Sequence, residues 1–177
     1  LSLVVLGLSG ALTHDPSAAI YVDGELIAAA EEERFTRQKH AKNAMPLHAA
    51  RYVLQEANLK ARDVDVVAFP FGKISLFGKA RWHYAKRHWY APERALDAIF
   101  NGNRHYRRNV KKVRELLAEL GINWGDIEFD AVEHHIAHAS SSYHLSGFEG
   151  KTAILGIDGK GEYATTFFGY GENGHIH

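Results

Sequence analysis

The chain has 177 residues, enough for one ordinary domain with a real core or for part of a larger one. Its 21 Lys and Arg balance its 21 Asp and Glu, so no overall basic field recruits nucleic acid or an anionic membrane, and partners have to be read from sites. Cysteine is absent, which excludes disulfides, thiolate zinc sites and cysteine nucleophiles, fits a reducing cytoplasm, and leaves only nitrogen and oxygen ligands for any metal.

The opening LSLVVLGLSG is too short and lacks the basic lead of a signal peptide or membrane span, so Leu3 to Leu8 reads as a buried central strand. After the loop SGALTHDPS, the run AAIYVDGELIAAAEEER reads as two strands joined by the two-residue turn Asp23-Gly24. The acidic run Glu31 to Glu33 reads as a solvated element end. Pro46 opens a helix in which Ala50, Val53, Leu54 and Ala57 share a face, and VDVVAF is the next buried strand. From Gly72 to Arg108 aromatic and basic residues interleave without a clear period, and this text carries no RNA-module motif. Tyr106, Val110, Val113, Leu117 and Leu120 then form one helical stripe, capped at Gly121. IEFDAV is a short strand, and KTAILGID and YATTFFGY are two more around the turn GKGE. The order is β-β-β-α-β-α-β followed by two further strands, a mixed α/β pattern.

Three stretches carry candidate chemistry. If EHHIAHASSSYHLSGF is helical, His134 and His138 stand one turn apart on one face, roughly 5 to 6 Å between β-carbons, close enough to share an ion, although exposed or capping histidines fit the spacing as well. His135 points elsewhere, and His144 lies off the pair's face and reads as structural. In THDPS, His14 and Asp15 follow a buried strand, where loops of open α/β sheets carry acid–base chemistry, although Asp15 and Ser17 also suit plain turn hydrogen bonds. In DGKGE, two glycines let backbone N–H groups approach a phosphate beside Asp158, or simply make a hairpin turn.

Taken in order, LGLSGALTHDPSAAIYVDGELIAAAEEERFTRQKH, HHIAHASSSYHLSGF and IDGKGEYATT resemble the O-carbamoyltransferases of nodulation-factor and antibiotic biosynthesis, which include the tobramycin and cephamycin carbamoyltransferases. The resemblance covers both ends of the chain but not residues 72–108. It implies an actin and sugar-kinase-like, ribonuclease H-like fold, with residues 1–150 as a first lobe and 151–177 as the start of a second, truncated one. It implies a reaction in which carbamoyl phosphate and ATP give a carbamoyl-adenylate, whose carbamoyl group passes to a hydroxyl of a small molecule such as a sugar. It also implies residue roles. His134 and His138 match the family's metal-binding histidines, usually assigned to iron. His14 matches a histidine near the transferred carbamoyl group, and Asp158 a catalytic position. Gly159, Lys160, Gly161 and Glu162 match a loop facing the nucleotide and carbamoyl group, with Lys160 at a variable position. On this reading the chain is an N-terminal fragment, inactive alone, whose third protein metal ligand lies beyond residue 177. Neither nucleic acid nor membrane is expected as a partner, and self-association into a homodimer is left open. Two other readings remain: a metal-dependent transferase of the tRNA threonylcarbamoyladenosine type, and a nucleotide- or sugar-binding domain without chemistry.

Overall fold

The structure, a computed structural model, describes residues 2–10, 14–73, 79–159, 161–162 and 164–177. They form two compact units, one of Leu1–Phe69 with His105–Ala131 and one of Pro70–Arg104 with Val132–His177.

The first unit holds a five-stranded mixed sheet. Strand β1 (Val4–Leu8) pairs antiparallel with β2 (Ser17–Val22) and parallel with β4 (Val66–Phe69). The edges are β3 (Glu25–Glu31), antiparallel to β2, and β5 (Glu128–Ala131), parallel to β4, so the sheet runs β3-β2-β1-β4-β5. The Asp23-Gly24 turn forms as its sequence requires, with φ of 53° and 86°. Asp23 also accepts hydrogen bonds from the Leu3 N–H and the Ser2 hydroxyl, both at 2.8 Å, which tie the start of the chain to the hairpin.

Helix α1 (Glu33–Thr36) is a single turn; α2 (Leu47–Glu56) packs on β2 and β3 through Ala49, Ala50, Val53 and Leu54. The core of this unit is Leu6, Ile20, Val53, Val67, Phe69, Val113 and Leu117, each at most 1% exposed. Burying each such large side chain is worth about 1.5–3 kcal/mol.

Residues without a legible period turn out to be helical: α3 (Lys79–Arg87) and α4 (Pro92–Asn101) pack on each other in the second unit, with Pro92 in the first helical turn. The Arg81 guanidinium is buried there and donates to the Ile99 carbonyl at 2.8 Å. Helix α5 (Arg104–Leu120) begins two residues before Tyr106 and ends at Gly121, which takes φ 79°. Its buried stripe is Asn109, Val113, Leu116 and Leu117, whereas Tyr106 and Val110 are only half-buried.

The second unit also contains α6 (His134–Tyr143), packed on β6 (Thr152–Ile157). With β7 (Thr166–Glu172) and β8 (His175–Ile176), β6 makes a three-stranded antiparallel sheet. The β7–β8 turn at Asn173-Gly174, φ 51° and 77°, has the same left-handed pair as Asp23-Gly24. Among the described residues no helix is long and apolar enough to cross a membrane.

Candidate metal centre

The helix carrying the histidines is anchored before it presents them. Glu133, the residue preceding α6, caps none of the first N–H groups with its own side chain. Glu162 does so from 28 residues away: its two carboxylate oxygens accept from the His134 N–H at 3.2 and 3.3 Å, and Oε1 also accepts from the Gly72 N–H at 2.8 Å. A negative charge at this helix start is favourable as well, because the macrodipole is positive there.

On this anchored turn His134 and His138 face each other with Nε2 atoms 3.2 Å apart. Asp158, the first residue after β6, brings Oδ2 to 2.7 Å from His134 Nε2 and 3.7 Å from His138 Nε2. The loop behind Asp158 is closed by two backbone bonds, Asp158 N–H to the Thr165 carbonyl and Gly161 N–H to the Ala164 carbonyl. The Gly159 N–H donates to Asp158 Oδ1 at 2.6 Å. Contact with the His134 imidazole, aided by the Gly159 N–H, holds the Asp158 carboxyl below the usual carboxylate range despite the opposing effect of burial, which outweighs the Gly159 contribution alone. On its other edge His134 sets Nδ1 3.1 Å from the Pro70 carbonyl, and its ring stacks on Phe71 with centroids 4.6 Å apart.

Both nitrogens of His134 therefore face acceptors. With its Nδ1–H given to the Pro70 carbonyl, the ring keeps the Nε2 lone pair free to ligate a cation. The spacing suits an ion too. Donors bound to one first-row ion at about 2.0–2.2 Å stand about 3.0 Å apart at right angles and about 3.4 Å apart in a tetrahedron. The three separations of 2.7, 3.2 and 3.7 Å bracket those values. Two imidazoles and one carboxylate, without thiolate, are a donor set for iron or another first-row ion that keeps open positions for a ligand.

His135 does point away from the pair, and into the interior. It is 2% exposed, and neither ring nitrogen has a hydrogen-bond partner among the described residues. It fills the space under Gly161, where a β-carbon would stand 2.5 Å from His135 Nδ1. Gly161 is thus required by the approach of loop to helix. A β-carbon at Gly159 would meet nothing within 4 Å, and Lys160 lies outside the described residues. His144 is exposed past the end of α6, its N–H bonded to the Ser140 carbonyl.

His14 belongs to the other unit, where its Nδ1 is 2.5 Å from Asp15 Oδ2. The second oxygen of Asp15 is 2.9 Å from His40 Nδ1. Sequence reading passed over His40, the Pro70 carbonyl, Phe71 and the capping role of Glu162. Only Glu162 had a local signal, an acidic residue in a Gly-rich turn; the others are recognisable only by what they touch.

Fold and site together define a mixed α/β protein that joins two histidines of one helix to a carboxylate of one loop. The chain belongs to the Carbamoyltransferase N-terminus family, whose model matches residues 4–177. It is 32% identical to nodulation protein NolNO of Sinorhizobium fredii over 98% of this chain and 26% of that protein. It is 34% identical to the protein sll1178 of Synechocystis over 97% of this chain and 28% of that one. The chain therefore spans about a quarter of the length of these curated relatives. Among solved structures it is similar to YeaZ from Pseudomonas aeruginosa, with a TM-score of 0.47 and 17% identity, over 99% of this chain and 63% of that one. A Ppx/GppA family member from Aquifex aeolicus matches with a TM-score of 0.39 and 11% identity, over all of this chain and 50% of the other.

Proposed function

We propose that the full-length protein transfers a carbamoyl group from a carbamoyl-adenylate, made from carbamoyl phosphate and ATP, to a hydroxyl of a small molecule such as a sugar. The reading includes an actin and sugar-kinase-like arrangement for the sheet β3-β2-β1-β4-β5. One observation carries it most: His134, His138 and Asp158 converge as ion donors in a chain of a carbamoyltransferase family.

In this reading His134, His138 and Asp158 hold the ion; Asp158 is a ligand rather than an acid or base. When bound, the ion supplies positive charge opposite phosphate or carbamoyl oxygens. The Glu162 carboxylate and the Pro70 carbonyl keep His134 in its ligating orientation. Gly159, where even an added β-carbon would meet nothing within 4 Å, leaves room for a phosphate oxygen to approach the loop. His14 takes the proton from the acceptor hydroxyl at Nε2, since Nδ1 is engaged by Asp15. The acceptor oxygen then bonds to the carbamoyl carbon, the bond from that carbon to the adenylate oxygen breaks, and AMP leaves.

The test is turnover by the full-length protein. AMP release from ATP should require carbamoyl phosphate, and AMP formation unchanged by its omission would point to another chemistry.

A further inference from the structure

The two imidazoles on Asp15 differ in origin: His14 is its chain neighbour, whereas His40 arrives from 25 residues away. We propose that His40 is a positioning residue for the acid–base histidine His14, acting through the carboxylate of Asp15. This rests on the reading of His14 as the proton acceptor.

A neighbouring Asp–His pair on an exposed loop is a loose device, because the carboxylate can rotate away into water. Here it is held at every free point. Oδ1 takes His40 Nδ1 at 2.9 Å, which leaves Oδ2 aimed at His14 Nδ1, 2.5 Å away. The Asp15 N–H donates to the His40 carbonyl at 2.9 Å, so the two residues are bonded through both backbone and side chain. His40 is fixed in turn by Glu33, whose Oε2 accepts the His40 N–H at 2.8 Å. Asp15 and His40 both adopt left-handed backbone, φ 56° and 63°, which residues with a β-carbon hold only where surrounding bonds over-determine it. Bonds from His14 first and His40 second keep the Asp15 carboxyl below the usual range. The carboxylate therefore stays ionised while His14 accepts a proton, and offsets the charge of the imidazolium. His40 itself touches no reacting atom in this scheme.

Three substitutions separate this role from a backbone role. The assay is AMP release by the full-length protein with carbamoyl phosphate and ATP, water serving as the acceptor. His40→Ala should lower kcat about tenfold with KM for ATP within about twofold, as expected when a general base loses its orientation. His40→Gly relieves the left-handed backbone but offers no donor, so it should be as slow as His40→Ala. His40→Asn places an amide N–H close to where Nδ1 stood and tolerates left-handed φ, so it should restore most of the rate. A His40→Gly variant at the wild-type rate, or a His40→Asn variant as slow as His40→Ala, overturns the proposal. His14→Ala is measured alongside. If it keeps the wild-type kcat, the reading of His14 falls and this role with it; if it is slow while His40→Gly is not, only the positioning role falls.

Discussion

A methyl group at position 161 is a small change with no room to occur. The added β-carbon would stand 2.5 Å from His135 Nδ1 and 2.6 Å from Cε1, atoms of a buried ring that cannot swing into solvent. Gly161→Ala should therefore cost about 1–3 kcal/mol and displace the loop that carries Asp158 and Glu162. Urea unfolding checks the cost, and combining the change with His135→Ala should recover much of it if the clash is the cause. Asp15 makes a different prediction at the same scale. Its carboxyl is shifted below the ordinary value of 3.8 by hydrogen bonds that the unfolded chain lacks. The resulting stabilisation is fully present above that value and disappears as pH falls through the lower folded one. The difference in unfolding midpoint between wild type and Asp15→Asn should shrink as pH falls from about 5 to below about 4, as thermal melts across that range will show. A gap that persists unchanged to about pH 2 would contradict the assignment.

Elements in this chain are started by residues distant from them. Helix α2 has no side-chain cap at Pro46; the carboxylate of Glu32, 2% exposed, serves instead. Glu32 Oε2 accepts from the Ala49 N–H at 2.9 Å, and Oε1 lies 2.6 Å from His48 Nδ1 and 3.3 Å from its N–H. This corrects the expectation of a solvated acidic run: Glu31 is exposed, but Glu32 turns inward. Glu162 serves α6 in the same way. Glu32→Ala should destabilise by about 3 kcal/mol, because buried N–H groups lose a charged acceptor, and Glu32→Gln by less, because an amide oxygen still accepts one of them. Equilibrium urea unfolding separates the two. Legibility follows the same division. Helices α2 and α5 announce themselves by period, whereas α3 mixes aromatic and basic residues, with Trp82 49% exposed, and shows no clear apolar stripe.

For the molecule as a whole, the proposed ion site links ion binding to folding. The donors His134, His138 and Asp158 are spread over 25 residues of one compact unit, so an unfolded chain cannot present them together. A free ion at a hundredfold its Kd adds about 2.7 kcal/mol to stability. Chelator should lower the thermal midpoint of the full-length protein, and a His134→Ala, His138→Ala double variant should not respond. An equal drop in that variant would mean that the ion sits elsewhere.

The sequence by itself determined the local units: the Asp23-Gly24 hairpin, the strands β1, β4 and β6, the helices with a clean stripe, and the one-turn spacing of His134 and His138. Each depends on neighbours within a few positions, through period and turn conformation. Its three ordered motifs also sufficed for the family. Only the tertiary structure decided that Asp158 meets the histidine pair, that Glu162 starts their helix, that His135 is buried, and that His40 shares Asp15 with His14. Those meetings depend on how loops close against helices, and nothing in the spacing of residues 134 and 162, or 15 and 40, encodes the distance between them.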